Sequence, residues 1–347
     1  MSRPLSPHGR ALEAVLETPF TAPRWLSNKH LQSLGAALPL WAPPRSFRPA
    51  RTELLRMPLP SGGALHAHAW WHESGPRRRR VAILVHGVGG SSASRYVVRA
   101  AVSMYRAGWH VVRLDLRGAG ESIGDAPALY HAGLTEDLKV AIDSISKCEQ
   151  ANGVVLIGVS LGGHVVLRLA GELGERDPGA LLAAVSVSAP LDLTSVTRAI
   201  ERLRSLPYHR YVLRNLVRQG AAFARAHPHL ARYDAASLNA LRTIREYDGH
   251  VIAPMHGFAS AEDYYARVSA GPLVEAIRLP VLLIHAEDDP MVPASTVRAW
   301  LTGAPPCLEQ AWTARGGHVG WFADMTESRW VDTWWLRRAR AFLASYV

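Results

Sequence analysis

The sequence predicts an α/β protein with a mostly parallel eight-stranded sheet that has helices on both faces. Short apolar runs, which are typical of buried parallel strands, alternate with segments of helical period along most of the 347 residues. One of these runs leads directly into a Gly-x-Ser-x-Gly turn, and a helical pattern follows the turn. The alternation stops between about residues 190 and 279, where the sequence predicts an insertion of several helices.

Length and composition limit the class of protein. A chain of 347 residues suggests about two domains, and 48% hydrophobic with 20% charged residues is ordinary for a soluble globular protein. We find no apolar run of the ~18 residues needed to span a bilayer, and the first 20 residues lack the apolar centre of a signal peptide. Cys148 and Cys307 are too few for a disulfide framework, so we expect a reducing, cytoplasmic location.

The net charge of +10 raises the question of an anionic partner. Only three of the 39 basic residues are lysines, and the arginines are spread along the whole chain. No zinc-finger spacing, aromatic RNA-binding motif or basic-region heptad accompanies them, so we expect no nucleic-acid partner. Arg210, Arg214 and Arg218 fall on one helical face, which we interpret as solvated; peripheral membrane contact stays open, and the sequence leaves the oligomeric state undefined.

Residues 1–50 are predicted to form an irregular, proline-rich N-terminal arm with one short helix. Within this arm, residues 28–33 (Asn-Lys-His-Leu-Gln-Ser) precede an apolar patch, and we interpret His30 as a structural hydrogen-bonding residue. Residues 53–59 and 64–71 alternate in polarity around Ser-Gly-Gly, which predicts a hairpin at one sheet edge.

The core is predicted to comprise residues 51–190 and 280–347, and residues 191–279 form a helical cap insertion. The other strands are expected at 81–85, 109–114, the apolar run after Gly153, 183–187, 281–284 and 308–313. Helices are expected at 94–106, 134–148, from 161, at 191–206, at 211–226, and in a final segment that carries Val331, Trp334, Trp335 and Phe342.

Ser160 stands at the centre of the Gly-x-Ser-x-Gly motif, between a strand and a helix. In this context the motif predicts a nucleophile elbow, a sharp turn that exposes the serine hydroxyl above the sheet edge. Gly158 and Gly162 are required because a side chain at either position would collide where helix and strand nearly touch. The alternative is an ordinary glycine-rich strand–helix turn.

A serine nucleophile needs a base and an orienting acid, which follow the serine in chain order as acid and then histidine. The loop after residues 281–284 carries Glu287, Asp288 and Asp289, from which we choose Asp289, with Asp288 as the alternative. Of the eight histidines after Ser160, we choose His318, because it lies in a Gly-Gly-His-Val-Gly loop between the last strand and the last helix.

The tetrahedral intermediate of acyl transfer needs two backbone N–H donors for its oxyanion. The amide of Leu161, next to the nucleophile, is one candidate. The other is the amide of Val88, in the glycine-rich loop that begins at His86 after the third strand. Such a loop could instead bind phosphate, but neither Gly-Lys-Ser/Thr nor Gly-x-Gly-x-x-Gly occurs there. We expect no metal and no organic cofactor.

These motifs resemble the α/β-hydrolase superfamily over residues 50–347, and the YheT-type esterases over almost the whole chain. The second resemblance lies in the sequences at 28–33, 86–96, 117–122, 247–248, 253–258, 261–265 and 288–290. This group includes eukaryotic abhydrolase-domain lipases related to phospholipases. The resemblance implies an α/β-hydrolase fold and a serine esterase for carboxylic esters, short- to medium-chain or lipid, without fixing the substrate.

The main hypothesis is therefore a cytoplasmic, lipase-like serine carboxylesterase with a Ser160–Asp289–His318 catalytic triad. An acyltransferase could use the same triad and pass the acyl group to an alcohol or thiol. A catalytically silent binding protein on the same fold is a third hypothesis, which the complete set of triad residues disfavours. Dehalogenase and epoxide hydrolase chemistry need a carboxylate at the elbow, where this chain has Ser160.

Overall fold

The computed structural model describes residues 19–35, 47–75, 79–202, 207–323 and 333–346. Within these residues it has one sheet of eight strands, β1 to β8. Their bounds are Arg51–Pro58, Ala64–Trp71, Arg79–Val85, His110–Asp115, Ala151–Val159, Leu181–Val187, Val281–Ala286 and Leu308–Thr313. All eight overlap the predicted segments, and the predicted fold class is confirmed.

The strand order in the sheet is β1-β2-β4-β3-β5-β6-β7-β8. The predicted hairpin places β1 and β2 at one edge, and β2 pairs antiparallel with both β1 and β4. All other neighbours are parallel, so the carboxyl ends of β3 to β8 meet at one edge of the sheet. Strand β5, which leads into Ser160, is therefore central, between β3 and β6.

The described helices, numbered in chain order, surround this sheet and form the insertion. Helices α1 to α6 are Lys29–Gly35, Arg95–Arg106, Thr135–Ser146, Leu161–Leu173, Leu193–Arg202 and Pro207–Ala226; α7 to α11 are Ile244–Tyr247, Ala253–His256, Ala261–Val268, Ala294–Arg298 and Trp334–Tyr346. Short 3-10 turns span Arg24–Leu26, Gly120–Gly124, Ser237–Ala240 and Gly271–Ala276, and Asp248–Ile252 is a π-helical turn.

Both faces of the sheet are covered, which explains why its central strands are continuously apolar. On β3, Val81 and Ile83 pack toward α3 and α4, whereas Ala82 and Leu84 pack toward α2 and α11. Successive residues of β3 face opposite sides of the sheet, and both sides are buried. The strand therefore has no polar face, as the continuous apolar run in the sequence predicts. Within the part of the chain described here, no helix is both long and apolar enough to cross a bilayer.

The segment between β6 and β7 has its own apolar cluster, which continues into a loop of the core. Leu216, Phe223 and Tyr264 of the insertion share this cluster with Leu129 and Ala132 of the core. Backbone groups reinforce the junction, since the amide of Ala132 donates to the Tyr264 hydroxyl at 2.9 Å. The proposed limits of core and insertion stay a prediction.

Some predicted boundaries shift for local reasons. Helix α6 begins at Pro207 rather than at the predicted Tyr211, because proline is well accommodated in the first turn of a helix. The side chains of Arg210, Arg214 and Arg218 on α6 are exposed, as predicted for a solvated face. Parts of three predicted features lie outside the described residues: the apolar patch after residue 35, the end of the helix predicted to finish at residue 206, and Val331.

Candidate active site

Ser160 occupies the single residue between β5 and α4, and its backbone is strained. Its φ is 55° and its ψ is −121°, a region that non-glycine residues rarely adopt. The Ser160 amide donates to the carbonyl of Val187 on β6 at 2.7 Å, which ties the turn to the sheet. A Cβ on Gly158 would lie 2.3 Å from the Gly162 oxygen, and one on Gly162 would lie 2.4 Å from the Val85 oxygen. The predicted requirement for both glycines is confirmed.

Asp289 is buried in the loop that follows β7, where it accepts hydrogen bonds from three directions. Its Oδ1 accepts from the amides of Met291 at 2.8 Å and Val292 at 2.9 Å. Its Oδ2 lies 2.8 Å from Nδ1 of His318. Burial alone would raise the pKa of Asp289, but attraction to His318 and these hydrogen bonds outweigh it, so the pKa is lowered. The structure therefore favours the ionised carboxylate.

Asp288, the alternative acid, faces a different group. Its Oδ1 accepts from the amide of Gly317 at 2.9 Å, and its Oδ2 is buried without a partner among the described residues. Burial raises the pKa of Asp288. Of the two adjacent carboxylates, the structure brings Asp289 to the imidazole and Asp288 to a backbone amide.

His318 lies between Asp289 and Ser160, with Nε2 at 3.1 Å from the serine Oγ. The predicted serine, histidine and acid are thus brought together in one hydrogen-bonded row. The other histidines make different contacts; His164, for example, bonds the carbonyls of Pro190 at 2.6 Å and Val268 at 2.9 Å. Burial lowers the pKa of His164 to about 4, and the hydrogen bonds to these two carbonyls oppose that shift.

The loop after β3 lies beside Ser160, and one of its amides has no hydrogen-bond partner among the described residues. The amides of Gly87 and Gly89 donate to the hydroxyls of Tyr96 at 2.8 Å and Tyr130 at 2.6 Å. Among the described residues, we find no hydrogen bond from the amide of Val88 or of Leu161. Both residues line a cavity with Ser160, so their amides stay the predicted oxyanion donors.

Two cavities meet at Ser160, and both also contact Val88 and His318. The inner cavity extends beneath the insertion and is largely apolar; its lining includes Leu161, Leu193, Val196, Leu216, Ile244, Ile252 and Met291. The outer cavity passes α1 and the start of α6; its lining includes Ser33, Leu34, Arg95, Tyr96, Tyr208 and Tyr211. The insertion therefore forms one wall of the space next to Ser160.

Asp248 is an ionisable side chain in the wall of the inner cavity. Its Oδ2 accepts a hydrogen bond from the Tyr265 hydroxyl at 2.6 Å. Burial raises the pKa of Asp248 to about 7; the bond from Tyr265 opposes this shift, and the nearby charge of Glu201 adds to it. Below neutral pH the carboxyl is protonated, so it presents no charge to an apolar ligand in the cavity.

Replacing Asp248 by asparagine is expected to remove a pH-dependent loss of stability. A carboxyl whose pKa is higher in the folded state binds its proton more tightly there, so stability falls as pH rises from about 4 to about 7 and then levels off. Between pH 5.5 and 8, the wild type should lose about 2 kcal/mol through this group. The free energy of unfolding of Asp248→Asn, measured with urea and compared with that of the wild type, should therefore be more favourable at pH 8 than at pH 5.5.

The exposed residue Asp143 on α3 offers the control for that change of charge. Asp143→Asn should alter the free energy of unfolding equally at both pH values. An equal effect of Asp248→Asn at pH 5.5 and pH 8 would show that the buried carboxyl does not titrate as described.

Gln32 and Ser33 contact the loop that carries His318, and neither contact is predicted from the sequence. Ser33 Oγ accepts from the His318 amide at 2.8 Å, and the Gln32 side chain bonds the backbone of Phe322. From the sequence, only His30 in this arm is a candidate functional residue. Gln32 and Ser33 are the last two residues of the motif at 28–33, in the arm predicted to contain one short helix. Two adjacent polar residues at that place are the signal that could have identified them.

The sheet order, the strained elbow at its centre and the covering insertion define the class of the protein as an α/β hydrolase. The chain belongs to the serine aminopeptidase S33 family, whose model matches residues 76–318, and within the α/β hydrolases it is of the YheT-like esterase type. This confirms the resemblance inferred from the sequence motifs.

Individual relatives agree with this placement. The chain is 32% identical over 318 residues to YheT of Escherichia coli, a proposed esterase, with 90% of this chain and 91% of that one covered. It is 30% identical over 257 residues to a monoacylglycerol lipase of Saccharomyces cerevisiae, covering 72% of this chain and 56% of the lipase. A solved esterase from Pyrococcus furiosus has the same fold, with a TM-score of 0.58, 15% identity, and coverage of 88% and 97%.

Proposed function

We propose that the protein is a serine hydrolase that cleaves carboxylic esters through an acyl-enzyme, with Ser160, His318 and Asp289 as its catalytic residues. The observation that carries the proposal is the hydrogen-bonded row from Ser160 Oγ through both His318 nitrogens to Asp289, at the junction of two cavities. A hydrolase of the esterase and lipase-like kind is also what the family relationship indicates.

In the proposed reaction, Ser160 Oγ attacks the ester carbonyl while His318 Nε2 accepts the hydroxyl proton. The amides of Val88 and Leu161 donate to the oxyanion. His318 then returns the proton to the departing alcohol, which leaves an acyl group on Ser160. Water, deprotonated by the same imidazole, releases the acid and restores the serine. Asp289 holds the imidazole tautomer and stabilises its charged form.

The apolar inner cavity supports an acyl group of short to medium length, or a lipid, as the substrate. Names of two relatives, an esterase and a monoacylglycerol lipase, agree with this substrate class. The family name raises peptide hydrolysis as a competing activity. We also propose a cytoplasmic location, in keeping with the two unpaired cysteines.

A hydrolysis profile is expected to show ester cleavage with a preference set by chain length. The panel comprises p-nitrophenyl esters of two to sixteen carbons, one phospholipid, one monoacylglycerol and alanine p-nitroanilide. We expect the highest kcat/KM with a short- or medium-chain ester, because the inner cavity is apolar and enclosed by the insertion. Faster cleavage of the anilide than of every ester would replace the proposed activity with a peptidase.

Two further outcomes separate the alternatives. Product that depends on an added alcohol or thiol, with little free acid, would identify an acyltransferase. Ligand binding without covalent labelling of Ser160 by a fluorophosphonate would identify a binding protein.

A further inference from the structure

We propose that α1 belongs to the active site: Ser33 and Gln32 position the catalytic base His318, and Tyr208 couples this contact to the insertion. The inference rests on the proposed function, because it assigns His318 the role of base. Ser33 and Gln32 lie outside the segment that the family model matches, which begins at residue 76.

The first observation is strain in the loop that carries His318. Among the described residues, positive φ values outside glycine occur at Ser160, Ser188, Val319 and Trp321. Two of these residues lie within three positions of His318, and Val319, with φ of 63°, is β-branched. Each such conformation costs about 1–3 kcal/mol and persists only where surrounding contacts enforce it. The loop therefore needs external anchors to keep its shape.

Helix α1 supplies anchors at both ends of this strained segment. Gln32 Nε2 donates to the Phe322 carbonyl at 3.0 Å, and its Oε1 accepts from the Phe322 amide at 2.8 Å. At the other end, the His318 amide donates to Ser33 Oγ at 2.8 Å. The Ser33 hydroxyl in turn donates its proton to the Lys29 carbonyl at 2.7 Å. The lone pairs of Ser33 Oγ are therefore free to accept from the His318 amide. Both anchoring side chains are buried.

The helix and the loop also meet at backbone distance. A Cβ on Gly317 would lie 2.5 Å from the Lys29 oxygen, and one on Gly320 would lie 2.7 Å from the Gln32 oxygen. Contacts between backbone groups cannot adjust as flexible side chains do. The position of α1 therefore fixes where the histidine loop lies, and with it the 3.1 Å distance from His318 Nε2 to Ser160 Oγ.

Tyr208, in the first turn of α6, connects this arrangement to the insertion. Its ring stacks on His30 with centroids 5.8 Å apart, and its hydroxyl lies 3.1 Å from His30 Nδ1. The same hydroxyl donates to the His30 carbonyl at 3.3 Å, so Tyr208 is held by helix α1. Tyr208 and Ser33 both line the outer cavity, so a ligand that displaces α6 acts, through Tyr208, on the helix whose Ser33 holds the His318 backbone.

Removing the Ser33 hydroxyl is expected to misplace the imidazole without removing it. A displacement of about 1 Å can cost a hundredfold in rate, so a partial relaxation of the loop in Ser33→Ala should lower kcat about tenfold. KM should change little, because the cavity walls remain. Ser33→Thr retains the hydroxyl and should restore most of the rate. Gln32→Ala, which frees the other end of the loop, should give a loss of similar size.

The experiment measures kcat, KM, the melting temperature and the low-field proton NMR signal of the hydrogen bond between His318 Nδ1 and Asp289. Leu31→Ala is the control, because Leu31 is exposed on the same helix and should leave all four unchanged. Tyr208→Phe keeps the stacked ring and removes the hydroxyl. Its loss of rate should be less than additive with Ser33→Ala, as expected for residues that act as one unit.

One outcome would contradict the positioning role. If Ser33→Ala and Gln32→Ala both kept the wild-type kcat and NMR signal and only lowered the melting temperature, α1 would contribute to stability alone. Additive effects of Ser33→Ala and Tyr208→Phe would remove the coupling to the insertion. The NMR signal is read without substrate. An enzyme that cleaves no ester but loses this signal in Ser33→Ala would therefore contradict the proposed function and still support positioning.

Discussion

Ser160→Ala is expected to lower kcat for ester hydrolysis about a million-fold, which is the scale of loss for the nucleophile of such a site. The proposed reaction acylates Ser160 Oγ, and no other side chain occupies the strained turn between β5 and α4. The variant should fold, because alanine is smaller than serine and the turn is held by the Ser160 backbone amide. Burst-phase kinetics with a p-nitrophenyl ester, together with fluorophosphonate labelling, would measure the loss.

Ser186→Ala provides a matched control on the neighbouring strand. Ser186 is buried on β6, and its hydroxyl donates to the Gly163 carbonyl at 3.1 Å rather than facing a cavity. Its removal should affect stability while kcat stays within about twofold, since it makes no contact with the reacting groups. Hydrolysis at the wild-type rate by Ser160→Ala would overturn the assignment of the nucleophile.

Asp289→Asn is expected to lower kcat about ten-thousandfold, as in serine hydrolases where this change alters the histidine tautomer. The carboxylate accepts from His318 Nδ1 at 2.8 Å and is held by two backbone amides. An asparagine held by the same two backbone amides is neutral, so it cannot stabilise a charged imidazolium as the carboxylate does. KM should change less than kcat, because Asp289 does not contact the cavity that receives the substrate.

The adjacent residue supplies the comparison that decides between the two candidate acids. Asp288→Asn keeps a carbonyl oxygen that can accept from the Gly317 amide, so its kcat should fall by only a few-fold. If Asp288→Asn were the variant with the large loss, the orienting acid would be Asp288, and the hydrogen bond from His318 to Asp289 would be structural.

Much of the fold could be predicted because its signals are local. Strands β3 and β5 to β7 are short apolar runs buried on both faces, and the elbow combines glycines with a serine in five consecutive residues. The candidate site followed from chain order, since parallel strands deliver Ser160, Asp289 and His318 to the same sheet edge. The roles of these three residues remain proposals that the two substitutions above test.

The contribution of α1 could not be predicted, because it depends on contacts between distant parts of the chain. Ser33 and His318 are 285 positions apart, and a serine in a proline-rich arm carries no local mark of that partner. The choice between Asp288 and Asp289 had the same difficulty: both follow one strand, and only the tertiary direction of each side chain separates them. Residues that line the cavities likewise come from several elements of the insertion, whose packing leaves no simple period.

The order of the strands has a consequence for how the protein acquires activity. Strand β5 lies at the centre of the sheet, whereas β7 and β8, which precede the acid and the histidine loop, form the opposite edge from the hairpin. In a chain emerging from the ribosome, the segment that carries Ser160 is therefore made long before the segment that carries His318. If the proposed roles hold, hydrolytic activity should appear only when β8 pairs and α1, made before the sheet, docks on the His318 loop. A chain that lacks the segment with His318 is then expected to be inactive although its Ser160 turn is already made.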